Sequence, residues 1–330
     1  MKLLLRFGHG LGDNAQFAIV LKHLKKYHPD WNIDIEVPQG TTSFFTGLCR
    51  NADAIESSIL KSLRIAKYCS IISAMYGYNG MKIENTEEYT KKYDQVIDVS
   101  FSMPKTNFDS VPSTKTTECI TETFHMEPIK ALYQYQVNII EKDRDKVDHY
   151  TTKILKGDFA IIHYIPRLQV RYFKSFEVET LEKICKKIIK NKLVPVILDW
   201  KNESSLPDQK AIFCPERNHW LWEGNSWAEA GRLAALIERA KLYIGIDSGP
   251  THIAGTTKTP SIAVWTTHHP INYYDGMNSN VLHLLPNNAD DFIHSQEDRE
   301  VAIKFFKKNY KYLHYRTLET TLLKVIGDKL

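Results

Sequence analysis

Long apolar runs are missing from this 330-residue chain. No stretch approaches the roughly 18 consecutive apolar residues that cross a bilayer, so membrane contact is expected to be peripheral at most. Residues 1–7 are apolar but reach Gly8-His9-Gly10 too soon for a signal-peptide core and cleavage site, and a cytoplasmic location is expected. Paired cysteines are missing as well. Cys49, Cys69, Cys119, Cys185 and Cys214 are odd in number and scattered, with no Cys-x-x-Cys, which argues against a disulfide framework or a zinc site. Charge of one sign is scarce: 43 basic and 39 acidic residues leave a net +4, which calls for no nucleic acid partner but suits an anionic substrate. There is no internal repeat or low-complexity tract. What remains is ordinary globular composition, 43% hydrophobic and 25% charged, long enough for two domains of about 150 residues each.

The first unit reads as strand, glycine loop and helix. Residues 2–7 are the strand, 8–12 the loop, and 14–27 a helix in which Phe17, Val20, Leu21 and Leu24 recur at helical spacing, with Lys25 and Lys26 at the end where cations suit the dipole. His28-Pro29-Asp30 stops it, and Ile33 to Val37 alternate as a second strand. Further strands are expected at 68–73 and 95–99, with a polar surface excursion over 77–92. The charge-dense segment 141–156 is the expected link between domains 1–150 and 151–330. Beyond it, strands at 158–164, 193–198, 211–214, 242–246 and 261–265 alternate with helices at 177–190 and 227–240, and the tail 298–330 is helical in pattern and suited to fold back over the first domain. Apolar strands alternating with amphipathic helices predict parallel sheets covered on both faces, hence two Rossmann-like doubly wound domains whose ligands sit at the C-terminal strand ends, facing a cleft between the domains.

The strongest local signal is Tyr243-Ile-Gly-Ile-Asp247-Ser248-Gly249-Pro250-Thr251-His252, a strand turning into a helix that Pro250 is expected to open. Small residues and exposed N–H groups at a helix start make a phosphate site, and an ordinary turn capped by Ser248 is the plain alternative. Asp13, after Gly10 and Gly12, faces the expected cleft and suits a general base, while a simple helix cap is what Asp also does well there. The spacing of Gly8, Gly10 and Gly12 is not that of a dinucleotide loop, although Glu36 lies where a ribose-binding acid would be. Asp143-Arg-Asp145 has the form of a metal-binding acid pair but lies in the charged linker. His268-His269 has no third ligand nearby and reads as a loop bordering the cleft. Trp220 and Trp222 suit either stacking on a ring or packing between domains, and Ser226 with Glu229 forms a capping box.

Asp247-Ser-Gly-Pro-Thr-His252 followed by Pro260-Ser-Ile-Ala-Val-Trp265 resembles the signature of glycosyltransferase family 9, the lipopolysaccharide heptosyltransferases. Gly12-Asp13 and the helix ending Tyr27-His28-Pro29-Asp30 are similar to that family's N-terminal motif, and Arg171-Tyr172-Phe173 stands where the family places a basic residue before Trp-Pro. The resemblance implies a GT-B fold and an inverting, metal-independent transfer of a sugar from a nucleotide diphosphate, with ADP-heptose the first choice, to a glycan, glycolipid or small-molecule hydroxyl, with no cofactor. It implies Asp13 as base, Gly10 and Gly12 on the acceptor side, and Arg171, Glu203, Asp247, Ser248, Gly249, Thr251 and His252 on the donor side. Arg171 would carry charge for the diphosphate and Glu203 would bind ribose, where the plain alternative is a solvated glutamate. His252 would either orient Asp247 or be structural. A non-catalytic sugar-nucleotide binder and a nicotinamide oxidoreductase are the competing classes, and the unusual Thr266-Thr-His-His-Pro270 loop points to a divergent donor or acceptor.

Overall fold

The computed structural model describes residues 1–37, 40–49, 91–166, 173–175, 177–198, the backbone of 211–213, 229–294 and 299–330. The expected strand at 68–73, most of the excursion at 77–92, Arg171, Glu203, Trp220 and Trp222 lie outside these residues. The chain divides into two compact units: 1–138 with 271–277 and 293–308, and 139–270 with 278–292 and 309–330.

In the first unit β1 (Lys2–Arg6) lies between β2 (Asn32–Glu36) and β3 (Gln95–Asp98), all parallel. Leu3, Leu4 and Leu5 are buried in succession, as a strand covered on both faces requires. Helix α1 (Leu11–Tyr27) begins three residues earlier than its apolar periodicity suggests, because Gly10 is the N-cap and Gly12 and Asp13 already belong to the first turn. Residues Asn14 through Leu21 are buried without a break, so this helix runs through the interior rather than along the surface. At the strand ends, Arg6 Nε donates to Glu36 at 2.9 Å with both side chains buried, and Asp98 lies 3.6 Å away. The Glu36 carboxylate is therefore committed to Arg6, which removes the ribose-binding role that a nicotinamide enzyme would need.

The short helix α2 (Lys115–Glu118) follows, capped by the Thr114 hydroxyl. The charged stretch after 140 is helical, α3 (Glu141–His149) extended by a wider turn that Lys156 ends in left-handed backbone at φ 53°, and it lies within the second unit, so the boundary between units precedes it at 138–139. The seven-stranded parallel sheet contains β4 (Phe159–His163), β5 (Val194–Leu198), β6 (Ala211–Phe213), β7 (Leu242–Ile246), β8 (Ser261–Val264), β9 (Val281–Pro286) and β10 (Lys311–Tyr315), in the order β10-β9-β8-β7-β4-β5-β6. Of the remaining helices, α4 (Val178–Lys190), α5 (Ala230–Arg239), α6 (Gly249–Ala254) and α9 (Leu318–Lys329) belong to the second unit, whereas nearly all of α7 (Pro270–Tyr273) and α8 (Arg299–Asn309) counts with the first. The tail expected to be helical throughout is interrupted by β10, whose ladder with β9 makes it an edge strand; its first helix, α8, counts with the first unit, and the final helix α9 packs on α4 within the second. Helix α5 starts at Ala230 with Glu229 as its N-cap, so Glu229 is not the third residue of a capping box opened by Ser226.

Asp143 of the Asp-x-Asp sequence is buried and accepts from Arg232 Nε of α5 at 3.0 Å, which makes it a structural ion pair of the α3–α5 interface. Gly245 on β7 is required by its neighbour: a Cβ there would lie 2.3 Å from the Tyr243 hydroxyl, whose ring runs over it toward the start of α6.

Several histidines are buried in neutral form. Trp265 Nε1 donates to His283 Nδ1 at 2.9 Å, and the amide of Ile129 donates to His23 Nε2 at 2.9 Å, so each of those ring nitrogens is an acceptor that protonation would turn away. Burial, the largest cause, holds His163, His269 and His283 down to about 3 and His9 to about 4. A folded pKa below the unfolded value near 6.5 means that the unfolded chain takes up protons first as pH falls. Their contribution to stability is complete above about 6.5 and is lost from there downward, each histidine removing on the order of 2 kcal/mol between pH 7 and 5. Asp275, pushed up to about 6 mainly by burial, acts in the opposite direction and returns only about 1 kcal/mol over that span. The urea midpoint should therefore fall steadily from pH 7 to 5, whereas an unchanged midpoint would show that these imidazoles are not buried neutral.

Candidate functional site

In the first unit the β1–α1 turn brings Asp13 into the first turn of α1, where a carboxylate suits the helix dipole. It is the third residue of the helix, whose N-cap is Gly10. Next to it, Asn14 Nδ2 donates to the carbonyls of His9 and Gly10, at 2.7 and 2.9 Å. The Asp13 carboxylate accepts from Lys115 Nζ, the lysine side chain being 2% exposed and the aspartate 15%. The Lys115 ammonium also lies over the rings of Phe101 and Tyr273, 5.7 and 5.6 Å from their centroids, contacts that favour its charged form in a buried place. Gly10 has ordinary extended backbone at φ −66°, so its lack of a side chain is not a conformational need. A Cβ there would sit 3.5 Å from Asp13 Oδ2. Gly12 lies inside the helix. Close by, Asp275 is fully buried and accepts the hydroxyls of Thr114 and Thr116, the latter at 2.7 Å.

In the second unit the strand order reverses between β4 and β7, and Asp247 follows directly on β7 at that switch point. Lys174 Nζ and His268 Nδ1, the latter at 3.0 Å, both reach Asp247 Oδ2. Burial by itself would raise the Asp247 carboxyl, but the Lys174 charge and the His268 contacts outweigh it and hold the group well below the usual carboxylate range. Ser248 is the N-cap of α6 in extended backbone, with Gly249 first and Pro250 second in the helix. Ser248 and Gly249 are half-buried at the turn. Thr251 is turned inward: its hydroxyl donates to the Ile246 carbonyl at 2.5 Å and lies 3.2 Å from the Tyr243 hydroxyl, and its amide donates to the Ser248 carbonyl. His252 is buried near His283, and the histidine on Asp247 is His268 instead.

Lys115, Asp275 and Lys174 thus join the sites although sequence reasoning gave them no part, and His268, read only as part of a loop bordering the cleft, joins them as a partner of Asp247. Lys115 is flanked by hydroxyls in Ser113-Thr-Lys-Thr-Thr117, and Lys174 stands three residues after the arginine chosen from the motif. Neither pattern identifies an aspartate that is 102 or 73 residues away in the chain.

Residues 229–300 match the model of glycosyltransferase family 9 (heptosyltransferase). The resemblance to glycosyltransferase family 9 holds. The matched segment contains Asp247, α6 and His268, that is, most of the second-unit site. Among solved structures, a glycosyl transferase family 9 protein from Veillonella parvula DSM 2008 is similar at 13% identity, covering 99% of this chain and 96% of that one, with a TM-score of 0.58. The E. coli ADP-heptose lps heptosyltransferase II is similar at 12% identity over 100% and 98% of the two chains, with a TM-score of 0.55. The iron-containing dodecameric glycosyltransferase TibC from enterotoxigenic E. coli H10407 follows at 11% identity, 82% of this chain and 60% of that one, with a TM-score of 0.50. At such identities these likenesses speak for the fold, which is the GT-B class. Comparison with curated proteins gives no match.

The Lys174–Asp247 pair should behave as a buried ion pair. Lys174→Met leaves the carboxylate with His268 alone and should cost about 3–5 kcal/mol in urea unfolding at pH 7.5, with Lys174→Arg closer to wild type. A loss below about 1 kcal/mol would place Asp247 in solvent instead.

Proposed function

We propose that this family 9-like glycosyltransferase moves a heptose-like sugar from a nucleotide diphosphate, ADP-heptose being the first choice, to an acceptor hydroxyl with inversion and without a metal. The observation that carries the reading is the carboxylate of Asp13, which sits at the first strand-to-helix turn and is held in place by a buried lysine rather than used as a helix cap. A protein that only bound sugar nucleotides would have no use for such an acid.

In this reading the acceptor oxygen attacks the anomeric carbon and the bond from that carbon to the diphosphate oxygen breaks. The acceptor's proton goes to Asp13 and the electron pair leaves with the diphosphate. The second unit receives the nucleotide. The turn at Ser248 and Gly249 approaches the phosphates, Asp247, held by Lys174, stands at the same turn on the donor side, and His252 supports the loop from within. Thr251 contributes through the shape of the turn, since its own donors are spent. Arg171 for the diphosphate and Glu203 for the ribose complete the donor side. The acceptor stays a glycan, glycolipid or small molecule, and Gly10 and Gly12 leave room for it beside Asp13. The family 9 match over 229–300 supports the donor side.

Asp13→Asn keeps size but loses basicity. Turnover should fall about 10²–10⁴-fold while donor affinity, measured by calorimetry, stays near wild type, and the product anomer read by NMR should be inverted. Near-normal turnover or a retained anomer would remove Asp13 from the chemistry. Because the diphosphate charge is assigned to side chains, EDTA should leave the rate unchanged. A loss restored by magnesium, manganese or iron(II) would overturn the metal-independent reading, a test given weight by the iron-containing protein of related fold.

A further inference from the structure

A general base tied to a lysine poses a chemical difficulty, since an adjacent ammonium lowers the affinity of a carboxylate for the proton it must accept. The surroundings of Lys115 supply a second acid. Asp275 accepts from the hydroxyls of Thr114 and Thr116, the residues on either side of Lys115, so one carboxylate grips the turn at both flanks of the lysine. Asp275 is fixed in turn: its amide donates to the Tyr135 hydroxyl at 2.8 Å, and Gln16 of α1 donates to the carbonyl of Tyr273 two residues earlier at 2.7 Å. Gly276 lets the neighbouring Tyr274 ring lie close, since a Cβ there would stand 2.9 Å from it.

We propose that Lys115 and Asp275 are positioning residues for Asp13, forming a buried acid–lysine–acid unit in which Asp275 places the lysine and its charge sets how strongly Asp13 holds a proton. This rests on Asp13 as the base. With Asp13 ionised and Lys115 charged, the unit is neutral while Asp275 keeps its proton and carries one negative charge once Asp275 loses it. The second state opposes the negative charge on Asp13 and makes it the better base. The Asp275 carboxyl is pushed up to about 6, first by burial and also by Asp13, with the two threonine hydroxyls and Lys115 pulling the other way. The change of charge therefore falls just below neutral pH.

Other titratable groups border the unit without adding charge to it. His9 is within electrostatic reach of Asp13 and Lys115, but burial holds it down to about 4 while it stacks on Phe7 at 4.4 Å, so it is neutral between pH 5 and 8. Burial likewise pushes the Tyr133 hydroxyl, near Asp275, well above its usual range and keeps it neutral. His294 Nε2 meets the Tyr273 hydroxyl at 2.9 Å. Glu118 accepts from the amides of Lys105 and Thr106, and Arg6 is engaged with Glu36.

The test is a carboxyl titration of the full chain with ¹³Cγ-labelled aspartate between pH 5 and 8. The two resonances are identified by their loss in Asp275→Asn and Asp13→Asn. In the wild type, Asp275 should titrate near 6 while Asp13 stays ionised. In Asp13→Asn the Asp275 midpoint should move down. In Lys115→Met the Asp275 midpoint should move up, by about 1–3 pH units, while Lys115→Arg should keep wild-type behaviour. An Asp275 midpoint that is the same in Asp13→Asn as in the wild type would overturn the proposal, and so would an Asp275 midpoint that does not rise in folded Lys115→Met. If Lys115→Met does not fold, the Asp13→Asn comparison alone decides. Normal turnover in Asp13→Asn would discard the base assignment while leaving these titrations to be judged separately.

Discussion

A carboxylate removed from water must find a cation or give up its charge, because its lost hydration is worth several kcal/mol. Both of this chain's central strands end at such a carboxylate. β1 leads through a short turn to Asp13 and β7 leads directly to Asp247, and in each unit a largely buried lysine from a distant segment answers it. The lysines have little freedom, since each is packed where its charge is needed. Much of the local architecture follows from meeting that need: the clamped turn around Lys115, the segment 271–277 counted with the first unit, and the loop that carries Lys174 to the end of β7.

Aromatic rings supply the rigidity that such pairs require. Tyr243 lies over Gly245 and reaches Thr251, which ties the strand before Asp247 to the helix after it. In the first unit, Phe7 stacks on Phe17 at 4.2 Å and meets Phe101 edge-on at 4.8 Å, so the wall under Lys115 is continuous with the core beneath α1. The two sites are thus extensions of two cores. That is why their charged groups can be held with little exposure, and why the buried histidines around them respond to acid as the cores do.

Much of the fold was legible because it is local. A run such as Leu3 to Leu5 or Ile244 to Ile246 can be satisfied only by a central strand, and the spacing of Leu181, Ile184, Cys185 and Ile188 only by a helix lying on a sheet. The Asp-Ser-Gly-Pro-Thr-His turn was legible for the same reason, since strand, turn and helix start are contiguous there. Boundaries slipped where a cap was chosen by geometry rather than residue type: Gly10 opens α1 without a side-chain bond and takes Asp13 into the helix. Glu229 in place of Ser226 and the strand β10 inside a helical-looking tail are errors of the same kind, because the ladder with β9 overrides local preference.

What the sequence by itself determined is what periodicity and turn chemistry can encode: two parallel α/β units, the position of Asp13 and Asp247 after strand ends, and the family likeness of the segment around 229–300. Only the tertiary structure decided who answers those acids. Lys115 over Arg or His, Lys174 in addition to the motif's Arg171, His268 rather than His252, and Asp275 behind Lys115 are choices made across 21 to 159 residues or more of chain. The physical reason is that a charge pair depends on distance and burial, and neither quantity has a signature in the neighbouring residues of a sequence.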